Sequence, residues 1–108
     1  MPHYLLQAAY SPEAWAAQIK NPKDRHEAVR PVAERLGGTL QDTWLSFGEY
    51  DVVAIVEMPD NVSAAAFAMA AAAGGALRNV KTTPLMSVTE GIAAMKRAAK
   101  AGYKAPGK

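Results

Sequence analysis

The chain has 108 residues, half of them hydrophobic, with 12 Lys and Arg against 10 Asp and Glu and a formal net charge of +2. That is one domain's length, apolar enough to exclude a disordered chain and too weakly charged to call for nucleic acid as a partner. There is no cysteine, which excludes disulfide scaffolds, thiolate zinc sites and thiol nucleophiles.

The N-terminal Met1-Pro2-His3-Tyr4-Leu5-Leu6 lacks the basic region and long apolar stretch of a secretion signal. Residues 3–10 instead read as a first strand, bounded by Ser11-Pro12. Ser11 suits an N-cap and Pro12 the first helical position, with Trp15 and Ile19 on one face at i, i+4. Asn21-Pro22 repeats the cap pattern and predicts a second, longer helix. In it Val29, Val32, Ala33 and Leu36 form an apolar stripe, Pro31 predicts a kink, and Gly37-Gly38 a stop. Residues 39–46 predict a second strand. Phe47-Gly48-Glu49-Tyr50 predicts a tight connection with Gly48 at positive φ. Residues 51–58 predict a third strand, whose continuous apolar run Val52-Val53-Ala54-Ile55-Val56 needs cover on both faces.

Pro59-Asp60, with Asp60 or Asn61 as cap, opens an alanine-rich helix over 62–73, which can approach a sheet closely and stops at Gly74-Gly75. That tract is too short and alanine-rich to cross a membrane. The expected compartment is therefore the cytoplasm, with no membrane partner. Residues 80–88 predict the fourth strand, with Pro84 favouring an edge position or a bulge. Thr89 is the expected cap of a last helix carrying Ile92, Met95 and Ala99 on one face.

The order strand, helix, strand, strand, helix, strand predicts an α+β, ferredoxin-like βαββαβ sandwich over residues 1–90, followed by a C-terminal helix and basic tail over 91–108. Right-handed crossovers put both helical regions on one face of the sheet. The other face is then bare and apolar, which predicts that the chain covers it with a copy of itself.

The segment Phe47-Gly48-Glu49-Tyr50-Asp51-Val52-Val53-Ala54-Ile55-Val56-Glu57-Met58-Pro59-Asp60 resembles the defining stretch of the GYD domain family. Gly48, Tyr50 and Asp51 fit its spaced Gly, Tyr, Asp signature. Tyr10-Ser11-Pro12-Glu13, Asp24-Arg25, the run from Ala33 to Gly38, and Lys81-Thr82-Thr83-Pro84-Leu85 strengthen the resemblance, which covers residues 3 to 90. It implies a dimeric α/β-barrel type assembly, in which two ferredoxin-like sheets face each other. It implies no particular reaction, and the helix beyond Thr89 looks like an addition to the usual domain.

With strands one and three taken as parallel neighbours, their first residues, His3 and Asp51, are expected side by side. Tyr50 joins them, and residues 88–90 approach the same edge. A His–Asp pair is a proton-transfer unit, because the carboxylate fixes the imidazole tautomer. His3, Tyr50 and Asp51 are thus the candidate catalytic residues. The competing role for Asp51 is to bind turn amides, and for Tyr50 to pack as a plug. Tyr10 and Trp44 are candidate walls of an inter-sheet pocket for a flat organic ligand. Lys81 and Thr83 offer a cation and a hydroxyl to a carboxylate or phosphate; a solvent-facing strand accounts for them as well. His26, in Lys23-Asp24-Arg25-His26-Glu27, fits a solvated helix face.

Two histidines without metal-ligand spacing predict no metal, and no cofactor is expected. Gly37-Gly38 and Gly74-Gly75 follow helices, whereas a phosphate cradle precedes one. The basic end, Lys96 to Lys108, fits a helix dipole and solubility better than nucleic acid. The expected function is that of an oligomer binding a small organic molecule in an inter-sheet or sheet–helix cavity, with cofactor-independent acid–base chemistry as an extension. The alternative is a non-catalytic structural or regulatory module that binds a partner protein. Whether the chain is an enzyme is left open at this point.

Overall fold

The computed structural model describes residues 1–107. Eight elements follow in chain order: β1 (His3–Tyr10), α1 (Pro12–Lys20), α2 (Arg25–Arg35), β2 (Thr39–Leu45), β3 (Val52–Glu57), α3 (Asn61–Ala73), β4 (Leu77–Leu85) and α4 (Val88–Ala99). Each helix starts where a short polar side chain takes an otherwise unpaired amide. Ser11 Oγ accepts from Ala14 N, Asp24 from Glu27 N, Asp60 from Ser63 N and Ser87 from Glu90 N.

Two expected caps move. Asn21 closes α1 rather than opening α2, because its own N–H still donates to the Ala17 carbonyl. Asp24, three residues before Glu27, opens α2 instead. Ser87 displaces Thr89 as the cap of α4. Glu90 lies three residues after Ser87, and its carboxylate reaches back to the Ser87 amide, a reciprocal arrangement Thr89 does not make. The fourth strand accordingly runs earlier than 80–88, ending at Leu85.

The sheet order is β2-β3-β1-β4, and every neighbouring pair is antiparallel. This corrects the expectation that β1 and β3 are parallel. The crossover from β1 through α1 and α2 returns the chain in the direction of β1, and the β2–β3 connection then reverses it. β3 therefore runs against β1, and His3 lies opposite Glu57 rather than beside Asp51. Pro84 sits on an edge strand as expected, and a register irregularity follows Ala9.

One face of the sheet is closed by the helices. Tyr4, Leu6, Leu40 and Val56 pack there against Ala33 of α2 and Ala64 and Phe67 of α3. Burying a side chain of the size of Leu or Phe in this way contributes about 1.5–3 kcal/mol. The hydroxyl of buried Tyr4 donates to Asn61 Oδ1 at 2.6 Å. Gly38 allows the α2–β2 turn to press on β3: a Cβ there would collide with the Glu57 carbonyl and the Met58 sulfur.

Among the described residues no helix or strand packs over the opposite face. Cross-strand rows Asp42–Ile55–Leu5–Thr83 and Trp44–Val53–Gln7–Lys81 run across it. Leu5, Val53 and Ile55 give it an apolar centre interrupted by Gln7, with Asp42 and Lys81 on the edge strands and Glu57 beside His3 at one end. α4 extends the molecule, which reaches 58 Å along its long axis. Apart from Gly91 its residues are exposed, Val88, Ile92 and Met95 included.

Candidate functional site

The residues expected to form one acid–base site occupy opposite ends of β1. At the Tyr10 end, Asp51 is buried, 8% exposed. Its backbone N–H donates to the Ala8 carbonyl at 2.9 Å, continuing the β1–β3 ladder. Beyond that point the carboxylate takes over the role of a strand carbonyl: Oδ2 accepts from Tyr10 N at 2.9 Å and from Trp15 Nε1 at 3.2 Å. Trp15 in turn meets Tyr10 edge to face, with ring centroids 5.3 Å apart. Asp51 thus ties β3, β1 and α1 together. The preceding turn is closed by Ser46, whose N–H donates to the Asp51 carbonyl and whose hydroxyl donates to the Tyr50 carbonyl. Gly48 takes φ +152°, a conformation L side chains rarely adopt. The Gly-Glu-Tyr-Asp segment is therefore built as a fastening for the sheet.

At the other end, His3 Nε2 lies 3.1 Å from Glu57 Oε1. Gln41 donates to the same carboxylate. Nearby in sequence to the end of β4, the Glu90 carboxyl is held below the ordinary range by the Ser87 backbone N–H and then by the Ser87 side chain. The end of β4 does reach this edge, with Leu85 opposite His3, but Asp51 lies at the other end of β1. The carboxylate beside His3 is Glu57, and the cluster stands in solvent.

The expected ligand wall also divides. Trp44, Lys81 and Thr83 face the open side of the sheet, and Trp44 is half exposed. Tyr10 belongs to the other side, in phase with Tyr4, Leu6 and Ala8, so Tyr10 and Trp44 do not line one pocket within this chain. His26 is not fully solvated, because its Nδ1 lies 2.8 Å from Thr43 Oγ1.

Between the helices and the sheet lies a cleft of about 390 Å³. Leu6, Ala8, Leu40, Val52 and Ala54 form its floor, Ala28, Val29 and Val32 of α2 one wall, and Phe67, Ala70 and Ala71 of α3 the other. It exists because α3 presents mainly alanine, which leaves space between two helices that larger residues would fill. Its polar lining is Arg25, Thr43 and Tyr10. A second hollow of about 400 Å³ adjoins it, lined by Trp15, Lys23, His26 and Leu45, and Arg25 and Thr43 border both. Arg25 was not among the expected site residues. Its signal was present, since Arg25, Val29, Val32 and Leu36 fall at i, i+4, i+7 and i+11, the spacing of one helix face. Among the described residues no group of three or more His, Cys, Asp or Glu could hold a metal ion. No helix among them is long and apolar enough to cross a membrane.

This layering, a four-stranded antiparallel sheet with helices on one side, is the ferredoxin-like α+β class. Solved structures of the same kind include the crystal structure of FFRP-DM1, at 12% identity and TM-score 0.50, covering 80% of this chain and all of that one. Another is a hypothetical protein, PHS023, from Pyrococcus horikoshii, at 11% identity and TM-score 0.51, covering 81% of this chain and 92% of that one. At such identities the likeness is one of fold. The chain belongs to the GYD domain family, whose model matches residues 4–95, from β1 into the middle of α4. No curated protein matches it.

Proposed function

We propose that this GYD domain is a small-molecule-binding protein whose ligand occupies the cleft between α2, α3 and the sheet, and that it works as a homo-oligomer. The observation that carries the reading is the cleft: it is apolar, carries only three polar side chains, and falls within the ~300–1,000 Å³ range of small-ligand pockets. An inter-sheet pocket of Trp44, Lys81 and Thr83 belongs to the same reading only if a second copy supplies its other wall. Support for oligomerisation is the open sheet face with Leu5, Val53 and Ile55 at its centre, together with exposed Trp44 on the same face and fully exposed Phe47 in the β2–β3 connection. Catalysis by His3, Tyr50 and Asp51 acting together loses its geometric basis, because antiparallel pairing separates His3 from the other two. The competing reading, a non-catalytic module that binds a partner protein, draws on the same exposed apolar surface and on α4.

Native mass spectrometry of the purified protein tests both halves of the proposal. The expected result is a dimer or larger assembly that retains a small organic mass. A monomer would overturn the oligomer reading. An assembly that neither retains nor takes up any organic molecule would favour the partner-binding module.

A further inference from the structure

Arg25 stands at the junction of the two hollows, and its Nε is buried with no hydrogen-bond partner. Among the described residues it forms no ion pair either. The acids around it are engaged elsewhere: Asp24 caps Glu27 N, Glu27 pairs with Arg30, and Asp51 holds Tyr10 and Trp15. A buried N–H on a permanently charged group, without an acceptor from its own chain, is a donor waiting for a ligand oxygen. From Arg25 the cleft between α2, α3 and the sheet runs inward along aliphatic and alanine side chains, with Phe67 on the α3 wall. The second hollow opens on the other side, with Lys23 and His26 on its rim.

We infer that the cleft takes an amphipathic organic anion. Its carboxylate lies on the Arg25 guanidinium and its apolar body extends between α2 and α3. The inference rests on the binding reading above and adds the ligand's class to it. The guanidinium presents a planar fork that matches a carboxylate bidentately, and its charge strengthens those bonds. Thr43, already bonded to His26, is the second polar group within reach of the head. The alanines of α3 leave room for a slender chain or a flat ring, and the absence of any other charged side chain from the cleft lining selects against a second ionic group on the ligand.

The test compares three probes with one ten-carbon body, decanoate, decanol and decylammonium, by isothermal titration of the full chain in its native oligomeric state. Decanoate should bind tighter than decanol by about tenfold or more, and decylammonium should bind weakest. Arg25→Met should erase the gap between acid and alcohol while leaving decanol binding in place. Arg25→Lys keeps the charge without the fork, is milder on folding, and should retain only part of the gap. Ala71→Phe, which fills the cleft, should weaken acid and alcohol alike. Equal affinity for decanoate and decanol, or a gap that survives Arg25→Met, would overturn the anion inference and leave the cleft as a binding site. Failure of all three probes to bind would overturn the cleft reading and the inference together.

Discussion

β1 meets a carboxylate at each of its ends, and the two behave differently. Near Tyr10 the carboxylate is Asp51, buried and shared between a backbone amide and an indole N–H. Near His3 it is Glu57, whose side chain is 26% exposed beside a histidine that is 45% exposed. Both arrangements pair a carboxylate with nitrogen donors at about the same distance. What separates them is water. Where water is excluded, the N–H groups have no other acceptor and the carboxylate becomes a structural member. Where water reaches the pair, solvent competes with every contact it makes.

The largest expected effect therefore falls on Asp51. Replacing it with Ala strands the Tyr10 amide and the Trp15 indole and should cost about 2–4 kcal/mol in urea unfolding. Asp51→Asn keeps an acceptor oxygen and should cost about half as much. If Asp51→Ala unfolds within about 0.5 kcal/mol of the wild type, water reaches both ends equally and the contrast fails. A double-mutant cycle on His3→Gln and Glu57→Gln should give a coupling below about 0.5 kcal/mol. A coupling comparable to the Asp51 effect would mean that the His3 cluster is protected, for instance by another copy of the chain.

The smallest effect is a pH dependence confined to α4. The folded-state pKa of Glu90 is depressed, chiefly by the Ser87 amide. Its contribution to the helix start is thus fully present above the unfolded glutamate pKa of about 4.3, and is lost as pH falls through the lower folded value. Resonances of the first turn of α4 should report fraying over that window, and Glu90→Gln should remove the dependence. Fraying that sets in above that window would show that Glu90 is not the group responsible.

Much of this architecture was legible beforehand because it is local. Ser11 and Asp60 cap helices within three residues of themselves, alanine runs make helix, and Gly37 and Gly75 take positive φ at the predicted stops. The choice between Thr89 and Ser87 was local too, and the Glu90 partner of Ser87 decides it. The GYD segment identified the family, and the order of elements identified the fold. That same order already required β3 to run against β1, since a hairpin reverses what a crossover preserves.

The site is another matter. That Asp51 reaches Tyr10 across 41 residues, that Tyr10 and Trp44 lie on opposite faces, and that Arg25 ends its chain between two hollows are consequences of register and layer spacing. By itself, then, the sequence determined which stretches become helix or strand, and that one face of the sheet would be left uncovered, since these depend on neighbours a few bonds away or on apolar periodicity. Only the tertiary structure decided which carboxylate is buried and which cation lacks a partner. Burial and pairing depend on side chains brought together from distant parts of the chain, and no local pattern specifies the distance between them.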